Sequence, residues 1–201
     1  MKKTNVKFLV ELALLTAILV IMAYTPLGYL YIGVLPITLL VIPVAVGSVV
    51  LGPGAGVFLG FVFGLTSMLQ PTGLAILVAV PVQSVITAIV PRLFVGLVPG
   101  LVFKALSKTK MKRPLVCSIA CITAPITNTI LYLACYVLCL GGYMAKVNPD
   151  VYGYFAEQSF IKCYGIILAA VSVNAIVEAA TCFIIAAAIS NVLLYTVNRS
   201  R

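Results

Sequence analysis

The sequence has no tryptophan, no histidine and only four acidic residues among 201. Without histidine, the usual proton shuttle and the commonest metal ligand are missing. Four carboxylates in total argue against a carboxylate-rich ion pathway. Charged residues make up 8% of the chain, against about 25% in an ordinary soluble domain. Reaction signatures are absent too. No G-x-x-x-x-G-K-[ST] phosphate loop occurs, so the chain does not hydrolyse ATP by itself. Neither H-E-x-x-H nor G-x-S-x-G is found. No catalytic set, no metal site and no cofactor site follows from the residues.

What the sequence does have is apolar length. Hydrophobic residues account for 63% of the chain, and the mean hydropathy is +1.23. A water-soluble fold cannot hide that much apolar surface, so the bilayer is the solvent. Thirteen basic residues give a net charge of +9. In a soluble protein this would raise nucleic acid as a partner. Here the basic residues crowd at expected helix ends, so membrane topology explains them and no nucleic acid is implied. The six cysteines include Cys117/Cys121 and Cys135/Cys139, each pair four apart inside one apolar stretch. They read as small buried apolar residues.

About 20 residues are needed to cross the hydrocarbon core as a helix. The sequence predicts a single all-α membrane domain over 1–201, with helices over about 7–24, 36–51, 55–69, 84–106, 114–140 and 161–196. Met1-Lys2-Lys3 precedes an apolar run, but Glu11 interrupts that run and no small-residue cleavage site follows. The run is therefore read as a retained first helix. Residues 25–33 form a loop, Gly52-Pro53-Gly54 a tight turn, 74–83 a loop or short re-entrant piece, and Asn148-Pro149-Asp150 a turn. Six spans put both termini on one side. That side then holds Lys2, Lys3, Lys7, Lys104, Lys108, Lys110, Lys112, Arg113, Arg199 and Arg201, against Lys146 and Lys162 opposite. The positive-inside rule makes the richer side cytoplasmic. No inverted repeat is visible, which argues against a two-fold secondary transporter.

Ionisable groups at membrane depth are costly, about 2.5–3.5 kcal/mol each on an insertion scale, so each demands a reason. Arg92 follows Pro91 in the outer half of the fourth helix. Glu178 lies near the middle of the sixth, with Asn174 four residues earlier on the same face and Thr181 extending that face. Asn128 sits mid-way along the fifth helix, with Tyr132 one turn further out. Together these residues predict a polar pocket opening outward. Arg92 would take a carboxylate or phosphate in a forked contact, and the two amides would serve a polar ligand. An internal Arg92–Glu178 pair is the alternative. Gly56, Gly60 and Gly64 make a small-residue face for close helix packing. Ala13 and Ala17 form a flat patch on the first helix, suited to docking another membrane subunit. Glu11 reads as interfacial.

Several stretches resemble the S components, the substrate-binding subunits of energy-coupling factor (ECF) transporters. They are Ile37–Val44, Val49–Gly56, Leu59–Ser67, Pro91–Gly96, Thr127-Asn128-Thr129 and Asn174–Ala179. The similarity runs from about residue 8 to 196. The resemblance implies a six-helix protein of the bacterial plasma membrane that binds a small-molecule vitamin from outside. It also implies docking on an energy-coupling module of one transmembrane scaffold and two ATPases, through the positions of Ala13 and Ala17. The ligand would lie near the outer ends of helices four to six, under the loop between helices one and two. The Pro-Arg, Asn-Thr and Asn-x-x-x-Glu pieces are most similar to the pantothenate-type branch. Arg92, Asn128, Tyr132, Asn174 and Glu178 are then the substrate-binding candidates. Relatives that take hydroxymethylpyrimidine or pyridoxine remain alternatives, and the short connection between helices three and four implies a reduced outer lid. Two other readings stay open at this point: a structural membrane protein of the cell-wall elongation machinery with a similar fold, and an intramembrane enzyme or channel.

Overall fold

A computed structural model of the chain describes residues 6–30, 37–147, 153 and 158–199. Helix α1 covers Val6–Ala23. It leads into a two-residue strand β1, Tyr29–Leu30, which pairs antiparallel with β2, Ile37–Thr38. Helices α2 (Val41–Val50), α3 (Pro53–Met68), α4 (Pro71–Ala79) and α5 (Pro81–Leu106) follow. Helix α6, Arg113–Cys135, runs through a π-helical turn at Tyr136–Leu140 into α7, Gly141–Val147. The last apolar stretch is α8 (Phe160–Ala170), α9 (Ser172–Thr181), a second π turn at Cys182–Ala186, and α10 (Ala187–Arg199).

Four helical stretches are long and apolar enough to cross a membrane: Val6–Ala23, Pro81–Leu106, Arg113–Val147 and Ser172–Tyr195. Helices α3 and α4 make a fifth if counted as one broken span, bent by 81°. The expected second helix over 36–51 is shorter than its apolar run. Its first residues are spent in β2, and α2 itself has ten residues. That is about 15 Å of rise, half a hydrocarbon core. Eight of those ten residues are buried, so α2 is a central packing element.

Other boundaries move for identifiable reasons. The turn expected at Gly52-Pro53-Gly54 keeps only Gly52 outside a helix. Gly52 has φ +101°, a value that suits glycine, and Pro53 opens α3. The stretch expected as a loop or short re-entrant piece over 74–83 is mostly the short helix α4, bent by 81° from α3. Helices do end just before Pro71 and Pro81, and each proline sits in the first turn of the next helix, where its missing N–H costs nothing, whereas Pro91 lies inside α5 without ending it. The polar segment expected from Gly141 begins as α7, and Asn148-Pro149-Asp150 lies outside the described residues. The helix expected over 161–196 is interrupted at Val171, which has φ −100° and ψ 5°.

The tightest seam is between α3 and α5. Gly56 and Gly96 lie against each other's backbone carbonyls, and Gly60 lies against the carbonyl of Arg92. A Cβ at any of these positions would enter the facing backbone. Ser48 of α2 completes the seam: its hydroxyl donates to Gly96 O and accepts from Gly100 N–H at 2.8 Å. The apolar core gathers beside this seam, with Leu19, Leu40, Val44, Leu59, Phe63, Val95 and Cys121 fully buried. All six cysteines are free thiols.

Candidate functional site

Pro91 has no N–H to give, so the carbonyl of Thr87, four residues earlier, loses its helical donor. The Arg92 side chain supplies one instead: Nη1 donates to Thr87 O at 2.9 Å. The guanidinium is pinned further by aromatic faces. Its carbon lies 4.3 Å from the Tyr132 ring centroid and 5.3 Å from that of Phe63, within cation–π range. Arg92 is therefore held in one orientation by its own helix, by α3 and by α6. It is only 8% exposed, and its Nε has no protein partner among the described residues.

Arg92 lines a cavity of about 410 Å³, a size typical of small-molecule sites. All five residues named from the sequence as substrate-binding candidates, Arg92, Asn128, Tyr132, Asn174 and Glu178, border this one space. They reach it from three helices: Arg92 from α5, Asn128 and Tyr132 from α6, Asn174 and Glu178 from α9. Asn128 is buried, and its Oδ1 has no protein partner among the described residues; the same holds for Thr87 Oγ1. Three orphaned polar atoms beside one cavity are expensive, at about 1–3 kcal/mol each if left unmade. They are arranged as two donors and an acceptor, counting the Thr87 hydroxyl as a donor.

Glu178 has a different arrangement from the internal pair considered above. Its Oε1 accepts the backbone N–H of Thr38 at 2.6 Å, and among the described residues it forms no ion pair with Arg92. The carboxylate thus ties α9 to strand β2. Tyr29 of β1 and Thr38 of β2 both contribute to the cavity lining. Tyr29 is fixed on its other side by a 3.0 Å hydrogen bond between its hydroxyl and Ser67 Oγ. Gln70, at the bend between α3 and α4, donates from Nε2 to Ala23 O at 3.0 Å. That contact joins the end of α1 to the start of α4, and Gln70, Thr72, Gly73 and Ile76 border the cavity from this side. Thr181 stays out of it, its hydroxyl bonding to Glu178 O at 2.9 Å.

Thr87, Thr38, Tyr29, Ser67 and Gln70 are site residues that the sequence reading did not name. Thr87 had a readable signal, since it stands four residues before a mid-helix proline. Thr38 acts through its backbone, and Ser67 and Gln70 through the bend, so their residue types carried none.

The family described as "ECF transporter, substrate-specific component" matches residues 7–190 of the chain. The chain is an ECF S component. No curated protein matches the sequence. S components are transporter subunits, not an enzyme family. They work with an energy-coupling module in a multi-pass membrane setting. In this S component, Ala13 and Ala17 lie on a face of α1 that is exposed along its length. Leu9, Val10, Leu14 and Ile21 are exposed on the same helix.

Proposed function

We propose that this S component captures pantothenate, a vitamin carrying a carboxylate, two hydroxyls and an amide, and delivers it to an ATP-driven importer. The observation that carries the proposal is the pinned Arg92 guanidinium, which lines a cavity of about 410 Å³ together with Asn128, Asn174 and Glu178. Arg92 receives the carboxylate. The Asn128 amide serves the ligand's amide or a hydroxyl, and Asn174 serves the opposite end. Glu178 holds β2 with one oxygen and accepts a ligand hydroxyl with the other. Tyr132 supplies an apolar wall.

The topology that goes with this reading is a single six-helix domain in the bacterial plasma membrane with both termini cytoplasmic. It rests on the ten-to-two partition of basic residues, and it needs the short β2–α2 segment to serve as the second crossing and α3–α4 as the third. Ala13 and Ala17 then meet the scaffold subunit of the energy-coupling module, two ATPases drive release, and lipid surrounds the remaining faces.

One observation favours a second ligand class. The rings of Tyr132 and Tyr136, with centroids 6.0 Å apart, both border the cavity. Such rings suit a planar heteroaromatic vitamin such as hydroxymethylpyrimidine or pyridoxine. Thermal-shift screening of the purified protein against a panel of water-soluble vitamins separates the two. Pantothenate at a hundred times its dissociation constant should stabilise the fold by about 2.7 kcal/mol. Stabilisation by a pyrimidine or pyridine vitamin alone would replace pantothenate with the second class. No stabilisation by any vitamin, together with full cellular function of Arg92→Ala, would end the capture reading.

A further inference from the structure

The end of the chain remote from this cavity carries a second concave site. Helix α5 ends at Leu106 and α6 begins at Arg113, and between them lies a cleft of about 310 Å³. Phe103, Met111 and Val116 form its apolar walls, and Ser107 and Arg113 its polar ones. Lys104, Lys108, Lys110 and Lys112 stand around it, all exposed. These make five basic residues within residues 104–113, and no acidic residue occurs between Glu11 and Asp150. Arg113 is also tied into the bundle, Nη2 reaching Leu194 O at 3.5 Å.

We propose that this cleft binds the headgroup of an anionic phospholipid. Charge decides the sign of the ligand: basic clusters at a helix end attract anionic headgroups, and basic pockets between membrane helices hold them. The planar guanidinium of Arg113, which lines the cleft, matches two phosphate oxygens in a way a lysine does not. The apolar walls decide between a lipid and a free ion. Phe103, Met111 and Val116 offer nothing to inorganic phosphate. They suit the glycerol and the first acyl carbons, and beside them Leu115 is 47% exposed on α6 for the rest of the chain. The serine hydroxyl at the C-terminal end of α5 adds a neutral donor for a headgroup oxygen.

The test is native mass spectrometry of the full-length protein in detergent with equal dioleoyl phosphatidylglycerol and phosphatidylcholine. The wild type should retain phosphatidylglycerol preferentially. Arg113→Gln should lower that preference about fivefold, the usual worth of one basic residue near a headgroup, and Arg113→Lys should restore only part of it. Ser107→Trp keeps every charge and fills the cleft, so it should abolish the preference while leaving vitamin-induced thermal stabilisation intact. That stabilisation also reports that each variant is folded. Lys108→Gln/Lys110→Gln removes two charges outside the lining and should have the smaller effect. Four results would overturn the proposal. They are equal retention of the two lipids by the wild type, an unchanged preference in Ser107→Trp, displacement of the lipid by millimolar inorganic phosphate, or a lysine pair that matters more than Arg113. If Ser107→Trp instead blocks assembly with the energy-coupling module and leaves lipid retention untouched, the cleft takes a protein partner.

Discussion

A charged side chain buried at membrane depth persists only when its surroundings hold it and its function uses it. Arg92 meets the first condition through the carbonyl that Pro91 frees and through the Tyr132 face. Arg92→Ala should weaken binding of a carboxylate vitamin by roughly 10- to 150-fold, the worth of a hydrogen bond to a charged group, as read by titration calorimetry. Arg92→Lys should recover little, because lysine lacks the planar fork. Asn128 gives a contrasting outcome. Asn128→Leu removes a buried amide whose Oδ1 is unpaired, so the ligand-free protein should melt at the same temperature or higher. The same variant should lose most of its ligand-induced thermal shift. A fall in melting temperature without a loss of binding would mean that Asn128 is structural. Arg92, Asn128, Asn174 and Glu178 were legible in the sequence because polar groups stand out in an apolar chain. The task actually performed by Glu178 was not. Its partner is a backbone N–H 140 residues away, and a backbone group has no sequence signature.

At the scale of elements, the paired strands β1 and β2 and the α3–α5 seam border the residues of the cavity. Glu178→Ala removes the bond to Thr38 and frees β2 from α9. The paired strands should then hold the cavity lining less firmly. Ligand dissociation should accelerate about tenfold, consistent with loss of one charged hydrogen bond, in a stopped-flow or surface-capture measurement. The seam acts on Arg92 directly, since Gly60 abuts its carbonyl. Gly60→Ala should cost about 1–3 kcal/mol by overpacking and weaken ligand binding. Gly54, whose Cβ position is open, should accept alanine with neither effect. The four-residue glycine spacing announced a close helix contact, though not that the contact falls on the backbone of the cavity's arginine. Proline marks a helix boundary at Pro71 and Pro81, each of which opens a new helix, but not at Pro91, which α5 accommodates in its interior. Local chemistry allows either outcome, and tertiary packing decides it.

The whole molecule combines a cavity between α5, α6 and α9 with an exposed apolar face on α1. The membrane class was legible from composition alone, because 63% hydrophobic residues admit no other solvent. The count of crossings was less so. Hydropathy does not give the length of the helix inside a continuous apolar run: the run expected as a helix over 36–51 holds a helix of only ten residues, α2. Ala17→Trp places a bulky ring on the exposed face of α1. It should abolish co-purification with the energy-coupling module while leaving vitamin affinity within about twofold, since surface changes away from special features shift stability by only about 0.5 kcal/mol. The central claim is that Arg92 receives a vitamin carboxylate in the cavity between α5, α6 and α9. Its most direct test is a calorimetric titration of the wild-type protein with pantothenate and with the analogue in which the carboxylate is reduced to an alcohol. Pantothenate should bind at least about tenfold more tightly, and this advantage should vanish in Arg92→Ala. Equal affinity for acid and alcohol in the wild type would contradict the account.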